Sequence, residues 1–496
     1  MPSVADLFLD KTANDKLQLY TAILGSQPGT YTVRTLDARF CEYGVTRVRS
    51  LVRQIDDDLH QLQSMDATFL NNVGDVEVSD ALPAAEVYFQ FLISGSLAMQ
   101  AMRYMLHHPE GTIEAFSSSV YLSTMTVIRR LKPLVDYLAA QYDIRINVRQ
   151  LDFVGPEPLI RYMIFNMLVD VGVCSARYYR HRYPELVPLV QRLAAYFNAN
   201  AGPLVIQERL LIVLGVSLER AGQGFPITET MVPDLWFDLP EKRQLAGILA
   251  AHELAHADTE LAFAGLAIFS GPVVLAASDR IHALVAARLA QNADQWAALT
   301  NEMGAALIEK IGAEPDAERW SVLLANTYLI LIPVCFFQQP LPVLFPLLRT
   351  QLVPNNRHYQ DLHRTLRAFW EKVARRKDCV WLHGTLSQVT NLLTYLFWPA
   401  YRAHYTTHRL RVSLRMGLSY HLQQPVRTLL EHIPLVNMVP YDAANPPDML
   451  IVSTPRYVPE NWRGAVFHFG LGSASNDTQQ LHTLIEQAYA EKNAID

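Results

Sequence analysis

Two residue patterns in this chain have the types and spacing to do chemistry. The first is His252-Glu253-Leu254-Ala255-His256, a literal H-E-x-x-H in a segment of helical period. On a helix two histidines four apart share a face and can hold zinc, with the glutamate as general base, which makes a zinc metallopeptidase the alternative reading. A catalytic zinc needs a third protein ligand. Ala257, Asp258, Thr259, Glu260 and Leu261 follow; Glu260 lies only one turn further along the same helix, and Glu302 is remote. The expectation is therefore no metal, no cofactor and no enzyme.

The second pattern is basic and lies in Thr112–Leu138. Thr112 can cap a first helix, with Glu114 near the positive end of its dipole. A break follows at Val120–Leu122, and Ser123 caps a second helix. There Val127, Ile128, Leu131, Leu134, Val135 and Leu138 recur at helical spacing. The other face offers Ser123, Thr124, Thr126, Arg129, Arg130 and Lys132, short polar and basic side chains suited to a major groove. Arginine and lysine would hold phosphates, while Thr124, Thr126 and Arg129 would reach base edges. Similar text occurs at Val33–Leu62, where Arg47, Arg49 and Arg53 lie on the second helix. Arg49 and Arg53 face together; Arg47 does not join their stripe. The run Asp56-Asp57-Asp58 repels phosphate, so only the N-terminal half of that helix is expected in a groove. The second motif is the better reader.

At 496 residues the chain needs three to five domains to hold these elements. Half its residues are apolar and 18% are charged, the balance of a folded protein. A net charge of −6 excludes a generally basic coat but not a local basic surface. Its four scattered cysteines, without C-x-x-C, fit a reducing cytoplasm. Met1-Pro-Ser-Val-Ala-Asp is no signal peptide, and Val322–Phe337 and Leu341–Leu348 both fall short of the roughly 20 residues that span a bilayer. A cytoplasmic protein without membrane contact is expected.

The predicted fold is multidomain and mainly α. Residues 1–80 form a winged helix-turn-helix domain with helices at Asp15–Leu24, Val33–Phe40 and Thr46–Leu62, and a wing at Ala67–Val78 around Asn71, Asn72 and Gly74. Residues 81–173 form a second, with helices at Ala84–Ile93 and Ala98–His107 before the motif. A wing at Ile144–Gly155 and an apolar helix at Pro158–Val169 follow it. Residues 174–283 and 284–405 are all-helical bundles of related layout. Pro188–Phe197 and Ile206–Leu218 in the first correspond to His282–Ile311 and Trp320–Phe337 in the second. Residues 406–496 form an α/β domain with a largely parallel sheet. Its strands are Leu410–Met416, Val436–Val439, Met449–Ser453 and Ala465–Phe469, with helices at Gln423–His432 and Thr478–Lys492.

This order of domains resembles the Mga/AtxA family of bacterial transcription regulators. The likeness is strongest at Ser123-Thr-Met-Thr-Val-Ile-Arg-Arg-Leu-Lys-Pro-Leu and at Leu151-Asp-Phe-Val-Gly-Pro-Glu-Pro-Leu-Ile-Arg. It implies a regulator, an activator of virulence or carbohydrate genes, bound to double-stranded promoter DNA. It also implies that the helical modules are PTS regulation domains, modified on histidine by the phosphocarrier protein of the sugar phosphotransferase system. The segment Glu208–Arg220 carries no histidine, which leaves His252 and His256 in the first module and His358, His363 and His383 in the second. The C-terminal domain would be similar to the IIB sugar-transport component. Its first loop, Met416-Gly417-Leu418-Ser419, lacks the phosphorylated cysteine, so self-association into a homodimer or higher oligomer is its implied role.

Overall fold

The computed structural model describes residues 7–492 apart from 27, 41–42, 63–68, 80, 172, 198–202, 229–240, 253–255, 270–273, 275, 312–315, 342–356, 406–408, 417–419, 432, 434 and 469–473. The chain divides into two units. The first is Met1–Ala298 with Ala325–Leu347 and Val380–Thr385; the second is Leu299–Leu324, Leu348–Cys379 and Leu386–Asp496.

The first unit opens with α1 (Lys11–Leu24), which starts a turn before the predicted Asp15. The cause is Asp10, whose carboxylate accepts from the Ala13 N–H at 2.9 Å and caps the helix. Strand β1 (Gly29–Tyr31), α2 (Val33–Phe40), α3 (Val45–Gln61) and β2 (Val76–Val78) follow. Strands β1 and β2 pair antiparallel, Gly29 opposite Val78. The turn before β2 is tied by Asn71, whose side-chain oxygen accepts from the Val73 and Asp75 N–H groups at 3.0 Å, with Gly74 at φ +87°. The turn expected within Ala67–Val78 forms, but the ladder differs from the expected hairpin: β2 pairs with β1, which precedes α2, and Leu70 meets Val76 in an isolated bridge, residues 67–68 lying outside the described residues. Helix α3 buries Val48, Leu51, Val52, Ile55 and Leu59 along one stripe.

Helices α4 (Ala85–Gly95) and α5 (Leu97–His107) precede a second unit of this kind, α6 (Ile113–Ser119), α7 (Thr124–Gln141) and the hairpin β3 (Arg145–Asn147)–β4 (Asp152–Val154). Helix α8 (Glu157–Val171) is buried almost all round, from Leu159 and Ile160 through Phe165 to Leu168. The helices after it are α9 (Val173–Arg182), α10 (Val187–Phe197), α11 (Pro203–Gly222), α12 (Glu241–Ala251) and α13 (Ala257–Phe269). The one helix expected over His282–Ile311 is instead two, α14 (Arg280–Gln291) and α15 (Gln295–Ile311). Asn292 takes the left-handed conformation at φ +46°, and Asp294 caps α15 by accepting from the Ala297 N–H at 2.9 Å.

Helix α16 (Ala317–Phe337) outlasts the apolar run Val322–Phe337 because Asp316 caps it, accepting from the Arg319 N–H at 2.8 Å. Its 21 residues make it the one helix among the described residues long and apolar enough to cross a membrane. It packs as a core helix: 67% of its most apolar window is buried. Asn326 exchanges hydrogen bonds of 2.9 and 2.8 Å with the Val274 backbone.

The second unit contains α17 (Arg357–Ala374), most of α18 (Leu382–Tyr405), β5 (Leu410–Arg415), α19 (Tyr420–Glu431), β6 (Val436–Met438), β7 (Met449–Val452), β8 (Ala465–His468) and α20 (Ala474–Lys492). The four strands form a wholly parallel sheet in the order β6-β5-β7-β8. Strand β7 is buried at every position, which its unbroken apolar run Met-Leu-Ile-Val requires. Leu481, Ile485 and Tyr489 of α20 join the core of Val412, Met449 and Ile451.

Candidate nucleic-acid interface

Helix α6 begins at Thr112, whose hydroxyl accepts from the Ala115 N–H at 3.3 Å. It ends in paired backbone bonds, Tyr121 N–H to Ser118 C=O and Leu122 N–H to Ser117 C=O, the pattern of a Schellman turn. The left-handed position of that turn, usually glycine, is Tyr121 at φ +55°. Ser123 then caps α7, accepting from the Thr126 N–H at 3.2 Å.

Helix α7 buries Val127, Leu131, Leu134 and Leu138, with Ile128 and Val135 at the margins. Burial of such side chains stabilises by about 1.5–3 kcal/mol each, which fixes the helix's rotation and hence what it presents outward. The outward face carries Met125, Arg129, Arg130, Lys132, Pro133 and Asp136. Pro133 has no N–H to give the Arg129 carbonyl four residues back.

The residues predicted for DNA contact fall into distinct groups. Arg129 and Arg130 are exposed and have no ion-pair partner among the described residues. Lys132 is tied to Asp136 at 2.9 Å. The exposed Ser123 hydroxyl is engaged in capping and in a 2.8 Å bond to the Thr126 hydroxyl, and Thr124 and Thr126 are half-buried. The sequence reading missed two exposed arginines on the wing, Arg145 and Arg149, which also lack an ion-pair partner among the described residues. For Arg145 a signal existed, since it alternates with the buried Ile144 and Ile146. The wing is held against α6 by the Ile113 N–H, which donates to the Arg149 carbonyl at 3.1 Å.

In the first module Arg47 is committed internally, to Asp15 at 3.0 Å and Thr12 at 3.3 Å. Arg49 and Arg53 are exposed and line, with Arg34 of α2 and Val73 and Gly74 of the wing, a cavity of about 550 Å³. The acidic run there is not a uniform phosphate-repelling surface. Asp58 pairs with Lys16 at 2.5 Å and accepts from the Tyr88 hydroxyl at 2.7 Å, binding α1, α3 and α4 together. Burial first, and Asp58 second, push the Tyr88 phenol pKa up.

Behind the second module lies a buried ionic cluster that sequence reading did not find. Arg220 of α11 donates to both carboxylate oxygens of Glu157, at 2.9 and 2.7 Å, stands 3.6 Å from Asp152 of β4, and stacks 4.1 Å above the Phe225 ring. Glu157 also accepts from Arg161 at 2.8 Å, and Arg161 in turn pairs with Glu260 of α13. Arg161 and Glu260 are wholly buried. The wing is thereby connected to the helices that follow it.

The histidines are dispersed. Helix α12 ends at Ala251, and neither His252, in a turn, nor His256, at φ +70°, continues it as the helical period predicts; Glu253, Leu254 and Ala255 lie outside the described residues. His252 hydrogen-bonds Glu185 at 2.9 Å and shares with Glu185, Arg192 and Gln244 a groove of about 550 Å³. Among the described residues no three His, Cys, Asp or Glu side chains gather to hold a metal. His256 and His383 are exposed, His363 bonds Asn391 at 3.0 Å, and the side chain of His358 lies outside the described residues.

The helix, tight turn, capped second helix and wing define a winged helix-turn-helix. Residues 84–168, which contain it, match the family model of the Mga helix-turn-helix domain. A search among curated proteins finds no match to the chain. A domain of this kind points to a DNA-binding transcription regulator and away from an enzyme.

Proposed function

We propose that the protein is a transcription activator of the Mga/AtxA type that grips double-stranded promoter DNA through both N-terminal modules, with α7 as the main reader. The observation that carries this is the outward face of α7, where Arg129 and Arg130 stand exposed and unpaired among the described residues; the wing that follows adds two further exposed arginines, Arg145 and Arg149. Arg49 and Arg53 give the first module a subsidiary phosphate contact. Ser123, Thr124 and Thr126 act chiefly by fixing the first turn of α7.

The helical modules serve as PTS-regulation-like domains and residues 406–496 as an IIB-like self-association domain, in a cytoplasmic homodimer or higher oligomer. His252 is the favoured phosphoryl acceptor, because an arginine lines the same groove. A phosphoryl group adds about −1.5 to −2 charges, which would repel Glu185 and attract Arg192. The phosphocarrier protein of the sugar phosphotransferase system would supply it, biasing oligomer state and so promoter occupancy.

The test is a titration of duplexes selected from a randomised pool, at several salt concentrations. Replacing Arg129 and Arg130 with alanine should weaken binding and lower the salt slope by about 2, since each lost phosphate contact removes about 0.9. Unchanged affinity and slope would remove α7 from the interface.

A further inference from the structure

Two apolar side chains stand out at the start of α7: Tyr121 is 94% exposed and Met125 75% exposed. They occupy the turn and the first turn of α7, four residues apart, next to Arg129 and Arg130. Tyr121 is held in a left-handed conformation, which a bulky side chain adopts only at a cost and which glycine would adopt freely. A strained backbone kept by a side chain that touches almost nothing points to a use outside the folded domain. Met125 is exposed where Thr124 and Thr126 are half-buried, and the Thr126 hydroxyl is engaged by Ser123.

We propose that Met125, supported by Tyr121, reads thymine in the major groove by covering its C5-methyl group. This rests on the DNA-binding reading above. The first turn of a recognition helix is the part that reaches base edges, and the thymine methyl is the only hydrocarbon group those edges display. Arg129 and Arg130, one turn further along the same helix, supply the charge complementarity that makes a polyanion the occupant. An unbranched thioether fits this task because it adapts to a small apolar target.

The experiment uses the full-length protein and a duplex recovered from a randomised pool, prepared with thymine and with deoxyuridine, which lacks only the methyl. Expected is a loss of about fourfold per contacted thymine, the equivalent of about 0.8 kcal/mol for one buried methyl. Met125→Ala should abolish that difference while leaving the melting temperature unchanged. Tyr121→Gly should lower affinity with a melting temperature no lower than that of the parent. A recovered duplex bound equally with thymine and deoxyuridine overturns the methyl readout and leaves DNA binding standing. Failure to recover any duplex overturns the DNA-binding reading, and the methyl readout with it. Unchanged DNA affinity in Met125→Ala, with a smaller assembly by light scattering, would assign the tip to a protein contact and also overturn it.

Discussion

Replacing Arg220 with methionine tests whether the ionic cluster behind the wing holds the reader in place. Methionine keeps most of the side chain's length and apolar body but removes the guanidinium. Two charge-assisted hydrogen bonds to Glu157, at 2.9 and 2.7 Å, are lost. Breaking a buried pair from one side costs about 3–5 kcal/mol, because the other charge stays behind without its partner. The lower end applies here, since Glu157 keeps its 2.8 Å bond from Arg161. The Asp152 contact at 3.6 Å adds little, because that carboxylate is 27% exposed and rehydrates. Stacking on Phe225 is partly retained, a thioether–ring contact replacing the cation–π one. The expected loss is about 3 kcal/mol, a shift of roughly 4 °C in the melting of the first unit. Amide exchange followed by mass spectrometry should show β4 and the start of α8 exchanging faster, and DNA affinity should fall although Arg220 touches no DNA. A melting shift below about 1 °C with unchanged exchange at the wing would refute the reasoning, because Glu157 would then have had no need of its second arginine.

Three further outcomes follow from the same structure. Burial, then Glu219, pushes the Tyr178 phenol up to about 12; burial and Glu219 likewise push Tyr183 up to about 12. The unfolded chain ionises its tyrosines near about 10, so it releases these protons first. Stability from the two phenols is thus complete below pH about 10 and lost as pH rises towards about 12, which paired tyrosinate absorbance and circular dichroism titrations would reveal; unfolding complete before any tyrosinate appears would contradict it. Ser123→Ala removes the cap on α7 and should cost about 1 kcal/mol, read by denaturant melts, while weakening DNA binding less than loss of Arg129 and Arg130 does. Deleting residues 406–496 should lower the mass seen by light scattering at equal concentration, and an unchanged mass would count against self-association through that region.

What could be read from the chain alone was whatever repeats locally. Helix α7 was legible because its cap, its break and its apolar stripe lie within one short stretch, and each reports on its neighbours. Strand β7 was legible for a similar reason, as an unbroken apolar run. The break at Asn292 was not, because the apolar period continues through it and only the left-handed backbone of one residue interrupts the helix. The paired arginines were equally hidden. Arg161 meets Glu260 across 99 positions of sequence and Arg220 meets Glu157 across 63, and nothing in a local pattern says that an arginine will be enclosed rather than solvated. The same blindness acted in reverse at the interface. Arg47 carries the right charge for phosphate, yet Asp15 holds it, and Lys132 shares its charge with Asp136 in an exposed pair worth little, whereas Met125 and Tyr121, of the wrong type for a surface, are left open. Residue type therefore marked the candidate helix, but only the fold shows which of its side chains are left exposed.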